Sequence, residues 1–249
     1  MGQVNKGQFE KFLQRCYLNK IVESFISEVT DNEISTYFKT GTGLVGEIKL
    51  KDFDVVDSEI TFYNPDVILG LLKNLNSEID IKLKKDGDGI VKVLEAQDQK
   101  GKEIKYAVQE PDLVGKLENK KPKEVYLVQI NLNQELIDDI LQANATLLSP
   151  SVNFVKIKNK EKVEKLYLIF GYSKNNTNQI KIELQYNGDI DDIDNISFSS
   201  SYITQILSVN SKGFIEGTLE LNDKLIRIYF KDKNSEAEYF LAKLNEQGD

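Results

Sequence analysis

The chain of 249 residues carries the same order of patterns twice, and this repeat limits its possible folds more than any other feature. The first copy consists of a helix start at 62–64 and three alternating strand patterns, at 79–83, 90–94 and 104–108. The second copy has its helix start at 198–200 and its strand patterns at 214–219, 225–230 and 239–244. Corresponding blocks lie 135 or 136 residues apart. The repeat predicts two similar units.

Upstream of each block lie a further helix and more strand patterns, so each predicted unit has two helices and antiparallel sheet. The helix over 7–19 has apolar residues at helical spacing, Phe9, Phe12, Leu13, Cys16 and Tyr17. The second helix is predicted to have Asn64 as its N-cap and Pro65 at its first helical position. The other two helices are predicted after Asn133 and around 202–207. Helices that cover one face of an antiparallel sheet are typical of the α+β class.

The two predicted units are joined by a segment with little periodicity. Residues 109–124 include Pro111 and Pro122 together with several charged side chains, which is typical of an exposed connector. The predicted organisation is therefore a first domain over 1–108, a connector over 109–124 and a second domain over 125–249.

The amino-acid composition reduces the number of functions that the chain could have. The chain has no histidine and a single cysteine, Cys16, which removes the usual catalytic base, the histidine-dependent nucleophiles and most zinc sites. Composition alone therefore argues against an enzyme without excluding one, and we expect no catalytic residue, no metal and no cofactor. The net charge of −8 argues against nucleic-acid binding by the whole surface, but leaves a local basic face possible. No apolar run approaches the ~20 residues of a membrane span, so we expect a cytoplasmic protein, in the host cytoplasm if viral.

Several segments resemble the DNA sliding clamps, the PCNA-like polymerase processivity factors, and in particular the clamp of T-even-type bacteriophages. Residues 48–55 and 60–72 are similar to the family's succession of strand, strand and second helix, and 77–81 and 89–93 continue the likeness. Residues 130–136 resemble the beginning of the family's third helix. The resemblance implies a DNA-clamp fold and a homotrimeric ring around duplex DNA. It also implies that a clamp loader opens the ring and that the ring tethers a DNA polymerase.

In such a ring the helix faces opposite the apolar stripes meet the DNA. The resemblance thus assigns DNA contact to four residues, Lys11, Arg15, Lys73 and Lys212. Helix geometry places Lys11 and Arg15 about 180° from the apolar stripe, although an ordinary solvated face explains this equally well. The third helix departs from the expectation, because its outward face carries Glu135 and Asp139, flanked by Asp138, and no basic residue.

The resemblance also implies subunit and partner surfaces. Strands over 102–109 and 179–186 would pair between subunits through Lys102, Ile104, Tyr106, Val108, Ile180, Ile182 and Leu184. The alternative is that both are ordinary edge strands. A pocket for a hydrophobic partner peptide would be framed by Leu113, Val114, Leu117, Tyr239, Phe240 and Leu241. The alternative for the last three residues is that they belong to the core.

Two other functions stay open. A viral structural protein of a tail or baseplate also suits a strand-rich, acidic chain without histidine. A hydrolase that uses paired carboxylates is a third possibility, although nothing in the sequence brings a particular pair together. The duplicated units with two helices each favour the clamp.

Overall fold

A computed structural model of the chain describes residues 2–115, 117, 120–158, 163–172 and 178–244. Residues 116, 118 and 119 of the predicted connector lie outside the described residues. The chain divides into two compact units. The first unit comprises Met1–Thr40, Val45–Lys120 and Asp232–Ala237. The second unit comprises Gly41–Leu44, Lys121–Lys231 and Glu238–Asp249.

The first half of the chain contains two α-helices, α1 over Lys6–Tyr17 and α2 over Asp66–Leu72. Its strands are β1 (Gly2–Asn5), β2 (Ser24–Thr30), β3 (Glu33–Lys39), β4 (Leu44–Lys51), β5 (Ser58–Tyr63), β6 (Glu78–Lys85), β7 (Val91–Asp98) and β8 (Glu103–Ala107). A short 3₁₀ turn follows at Pro111–Leu113.

The second half contains α3 over Gln134–Leu147 and α4 over Ser200–Asn210. Its strands are β9 (Val128–Asn131), β10 (Ser151–Lys158), β11 (Glu164–Phe170), β12 (Ile180–Glu183), β13 (Asn187–Gly188), β14 (Asn195–Ser199), β15 (Glu216–Leu221), β16 (Leu225–Lys231) and β17 (Ser235–Ala242). None of the helices in the described part of the chain combines the length and apolar composition that crossing a membrane requires.

Each unit contains a four-stranded antiparallel sheet. The order in the first unit is β1-β6-β7-β8, so that β8 is an edge strand. The order in the second unit is β12-β11-β10-β14, so that β12 is an edge strand. Further antiparallel strands run in the order β4-β3-β2-β5 in the first unit and β13-β9-β15-β16-β17 in the second.

The core of the first unit is built on phenylalanine rings. Phe9 of α1 lies 5.3 Å from Phe53 and 6.3 Å from Phe62, measured between ring centroids. Phe25 packs 5.3 Å from Phe62 in the same way. Cys16 is fully buried on the same helix, and burial raises the pKa of its thiol well above the ordinary value. The apolar stripe predicted for α1 is therefore confirmed as its packing face.

Side-chain caps fix where two of the helices begin. Asn5 accepts a hydrogen bond from the backbone N–H of Gln8 at 3.1 Å, and Asn133 accepts one from Leu136 at 2.8 Å. These caps satisfy N–H groups that the first turn leaves without partners. The prediction that Asn64 caps α2 is wrong. Asn64 has a φ of +50°, and Pro65 occupies the cap position instead.

Candidate nucleic-acid, subunit and partner surfaces

The two cations of α1 both contact one carboxylate of the first unit. Lys11 Nζ lies 2.8 Å from Asp232 Oδ2, and Arg15 Nη2 lies 3.1 Å from the same oxygen. Arg15 Nη1 also donates to Ser235 Oγ at 2.6 Å, and Ser235 Oγ donates to Asp232 Oδ2 at 3.1 Å. Asp232, in the turn before β17, and Ser235, the first residue of β17, therefore cover the polar side of α1. We call Lys11, Arg15, Asp232 and Ser235 the α1 charge cluster.

The two cations differ in how far their side chains are exposed. The Arg15 side chain has 0% exposure, whereas that of Lys11 keeps 24%. The prediction that Arg15 stands on an exposed helix face is wrong, because Asp232 and Ser235 pack over it. A buried guanidinium offers no surface to a phosphate, so Arg15 drops out of the predicted DNA-binding residues. Burial, together with the charge of Arg15, lowers the pKa of Lys11, and the contact with Asp232 opposes this shift.

The other two predicted DNA-binding lysines are exposed. Lys73 directly follows α2, and Lys212 lies two residues after the end of α4. Lys20 is a further exposed cation that sequence reasoning missed, because it lies beyond the amphipathic part of α1; its Nζ is 3.4 Å from Asp66 Oδ2. A hydrogen bond from Tyr17, and then the nearby Lys20 and Lys73, lower the pKa of Asp66.

The exposed face of α3 is acidic, as the sequence predicts. Glu135, Asp138 and Asp139 are all exposed, and Asp138 accepts a hydrogen bond from the Gln134 side chain at 2.8 Å. No lysine or arginine occurs within Gln134–Leu147. Positive charge for a nucleic acid must therefore come from other elements.

The outer edge of β8 has no strand partner among the described residues. The N–H of Val108 bonds to Lys92 in β7 at 2.9 Å, and alternate residues of an antiparallel strand face the same neighbour. The backbone groups of Lys105 and Ala107 therefore point to the open side. The side chains of Ile104, Tyr106 and Val108 are buried, and Lys102 is exposed just before the strand.

Strand β12 is the matching edge strand of the second unit, and its outer side likewise has no strand partner in the part of the chain that the structure describes. The N–H of Leu184 bonds to the carbonyl of Leu166 in β11 at 2.9 Å, so the backbone groups of Lys181 and Glu183 point to the open side. Leu184 is buried, whereas Ile180 and Ile182 are half-buried. Both predicted subunit strands are shorter than expected, and Lys102, Val108 and Leu184 lie just outside them.

Exposed apolar side chains lie beside each open edge. Tyr63 and Val67 are exposed where α2 begins, and α2 packs against β8. Leu148 directly follows α3, and α3 packs against β12. The side chains of Leu148 and Tyr172 are both exposed. Gly171 binds Ser149 Oγ through its N–H at 3.3 Å, which holds the segment after β11 near the end of α3. Each edge thus combines open backbone groups with apolar surface.

A cavity of about 430 Å³ lies in the first unit between the connector and strands β2 and β3. Val114 and Leu117 line it from the connector side, opposite residues such as Phe25 and Phe38. Leu113 is 71% exposed and does not line the cavity. Tyr37 donates its hydroxyl hydrogen to the backbone carbonyl of Lys120 at 3.1 Å, which ties the end of the connector to β3.

The prediction that Tyr239, Phe240 and Leu241 frame a surface pocket is wrong. All three belong to the second unit and have at most 3% exposure. The Asn210 side chain at the end of α4 donates to the Tyr239 hydroxyl at 3.2 Å, so this ring faces the helix. The alternative, that these residues belong to the core, is the correct one. Among the described residues, no group of three or more potential metal ligands occurs.

No family model matches the chain, and no curated protein matches it. Solved structures do match over almost its full length. The structure of A. fulgidus PCNA with the C-terminal region of FEN-1 bound has a TM-score of 0.75 at 16% identity and covers 99% of both chains. PCNA from Entamoeba histolytica has a TM-score of 0.76 at 12% identity, with 98% of both chains covered.

PCNA from Thermococcus kodakaraensis gives a similar result, with a TM-score of 0.73 at 15% identity, covering 97% of this chain and 98% of the other. Identities this low establish the fold alone. The predicted α+β clamp fold, with antiparallel sheets and a few helices, is therefore confirmed. A shared fold does not by itself assign function, which has to be argued from the surfaces.

Proposed function

We propose that this chain is a DNA sliding clamp. Three copies form a closed ring around duplex DNA, a clamp loader opens the ring, and the ring tethers a replicative DNA polymerase without catalysing a reaction. The observation that carries the proposal is the clamp fold over nearly the whole chain, combined with an open strand edge in each unit. The sequence resemblance to T-even-type phage clamps favours a phage replication system, which places the protein in the host cytoplasm.

The ring forms when β8 of one copy pairs with β12 of the next. Each copy has both edges, so an open head-to-tail chain has an unpaired β8 at one end and an unpaired β12 at the other until the ring closes. Open edges are usually blunted in monomeric proteins, because they recruit further strands. Here the apolar side chains of Tyr63, Val67, Leu148 and Tyr172 add buried surface to the same contact. In this proposal 1–108 and 125–249 are the two clamp domains and 109–124 is their connector.

DNA contact in the ring rests on Lys73 and Lys212, because the third lysine, Lys11, is paired with Asp232. Contacts of this kind are non-specific, because lysine recognises phosphate charge rather than base sequence. A closed ring stays on DNA by topology and needs few such contacts, which fits an acidic chain with an acidic α3. Partner proteins bind through a short hydrophobic peptide. The cavity lined by Val114 and Leu117 suits such a peptide, because it combines apolar side chains with an exposed connector.

The decisive experiment is the absolute mass by light scattering after size exclusion, measured over a concentration series. The clamp proposal predicts a species of three times the chain mass of 28.4 kDa, and a ring with a central opening in negative-stain images. A monomer that persists at the highest concentration contradicts the ring. It would instead favour a structural protein that happens to share the fold.

A further inference from the structure

Asp232 is the one acidic side chain in the α1 charge cluster. Its Oδ2 atom forms ion pairs with Lys11 Nζ at 2.8 Å and with Arg15 Nη2 at 3.1 Å. The same atom accepts a hydrogen bond from Ser235 Oγ at 3.1 Å. Lys11 and Asp232 are 221 positions apart in the sequence, so their contact is a product of the fold. The Asp232 side chain is only 14% exposed, which reduces the screening of its charge by water.

This arrangement lowers the charge that α1 presents. The two cations and one carboxylate of the cluster have a net charge of +1. Of the two cations, only Lys11 is partly exposed, and its ammonium group contacts the carboxylate of Asp232. Arg15 is buried and stays within the cluster whatever binds outside. Lys233, next to Asp232 in the chain, is exposed. Without the charge of Asp232, the cluster would carry two positive charges in place of one.

We propose that Asp232 limits the attraction between the α1 surface and the phosphates of duplex DNA by holding Lys11 back from them. This inference rests on the proposed clamp function, and it makes Asp232 a positioning residue that acts through Lys11. A ring that moves along DNA is retained by topology, so every additional phosphate contact slows it without being needed for retention. The ring topology keeps the DNA near α1, and the Asp232 carboxylate keeps the attraction between α1 and the phosphates weak.

The test is the affinity for a short, fluorescently labelled linear DNA duplex, measured by anisotropy from about 50 to 200 mM salt. Asp232→Asn keeps the shape and an acceptor oxygen for Arg15 and Ser235 but removes the charge. We expect it to bind the duplex several-fold more tightly at the lowest salt. We also expect a steeper salt dependence, by about 0.9 in log–log slope for each lysine newly engaged. Asp57→Asn is the matched control, because it removes one exposed charge elsewhere in the first unit and should leave affinity near wild type.

Two lysine variants separate positioning from a merely structural role. In the Asp232→Asn background, Lys11→Met should abolish the gain in affinity. In the wild-type background, Lys11→Met should change affinity less than two-fold, because Lys11 is already held by Asp232. This second result is informative even if Asp232→Asn does not fold.

The proposal is overturned if Asp232→Asn binds no more tightly than wild type, or if its gain survives Lys11→Met. A large loss of affinity on Lys11→Met alone also overturns it, since Lys11 would then be a direct contact. The mass of the wild-type species tests the ring separately. If the wild-type protein has three times the chain mass but Asp232→Asn binds DNA as wild type does, only the proposed role of Asp232 is contradicted. If the wild-type protein stays a monomer, the clamp proposal itself is contradicted.

Discussion

The hydroxyl group of Tyr106 bridges both backbone groups of Tyr63. It donates to the Tyr63 carbonyl at 2.9 Å and accepts from the Tyr63 N–H at 3.2 Å. Tyr106 lies in the edge strand β8, and Tyr63 ends β5 just before α2. Its ring also stacks on Phe62, with centroids 6.1 Å apart. One side chain therefore fixes the position of the open edge relative to the apolar residues that flank it.

Tyr106→Phe removes both hydrogen bonds and keeps the ring. We expect a loss of about 1–3 kcal/mol in the free energy of unfolding, because two backbone groups lose their partner. Urea denaturation followed by circular dichroism measures this. Tyr63→Phe is the control, since the Tyr63 ring is exposed and the bonds to Tyr106 use only its backbone. Equal stability of the two variants would show that the bridge contributes nothing.

In the proposed ring, the contact through β12 uses backbone groups of this strand rather than the Lys181 side chain. Lys181→Pro removes an N–H that points to the open side and leaves the bonds to β11 intact. We expect it to shift the species of three-fold mass to monomer in light scattering. Lys181→Ala keeps the N–H and should keep the assembly. If both variants assemble as wild type does, β12 is not the subunit edge.

The α1 charge cluster predicts unequal costs for its two cations. Arg15→Met removes the fully buried cation and leaves Asp232 with Lys11 and Ser235, and we expect a loss of about 1.5–3 kcal/mol in the free energy of unfolding. Lys11→Met should cost less than about 1 kcal/mol, because Lys11 is partly solvated and Arg15 still faces Asp232. Thermal and urea denaturation of both variants measure the difference. Similar losses would mean that burial does not set the strength of these pairs.

Local sequence signals were enough to predict the packing of α1 and the beginning of α3. The spacing of Phe9, Phe12 and Leu13 reports the buried stripe directly, and Asn133 binds the N–H of Leu136, three residues along the chain. The repeat and the resemblance then indicated the fold class. All of these signals lie within a few turns of helix or recur at a fixed interval.

The errors at the candidate sites arose where a distant segment covers a predicted face. Arg15 is on the polar side of α1 by helix geometry, but its partner Ser235 lies 220 positions away, and no local pattern reports that contact. Alternation likewise places neighbouring strand residues on opposite faces, yet Tyr239 and Phe240 are both buried. Sequence periodicity shows which side of an element is apolar, whereas tertiary packing decides whether the other side meets water.

Asp98 makes the stability of the turn before β8 depend on pH. Burial disfavours its charge, but N–H donors from Lys102, Asn76 and Lys100 outweigh this and hold the pKa of Asp98 below its usual value. A carboxylate with a depressed pKa in the folded state stabilises the fold above its unfolded pKa, and this stabilisation is lost as the pH falls through the folded pKa. Asp98→Asn should therefore be less stable than wild type at pH 7.

The difference between the two proteins should begin to shrink as the pH falls below about 4, where the carboxyl group of the unfolded chain takes up a proton, and it should be lost once the pH has passed below the folded pKa. Urea denaturation at both pH values measures it. Asp80→Asn is the control, since Asp80 is exposed on β6 and should show no such pH-dependent difference. A gap between wild type and Asp98→Asn that stays constant down to acid pH would contradict the role of these donors.

Lys73 tests whether the surface at the end of α2 meets DNA. It is exposed, and its side chain is near enough to Asp66 to affect the pKa of that carboxyl. Lys73→Glu should reduce the affinity for a linear duplex and flatten its salt dependence by about 0.9 in log–log slope for each phosphate that is no longer neutralised. Lys39→Glu makes the same charge change on an exposed lysine at the end of β3 and should have a smaller effect. Equal reductions in affinity for the two variants would mean that the affinity depends only on the net charge of the protein. Lys73 would then no longer belong to the proposed DNA-contacting residues.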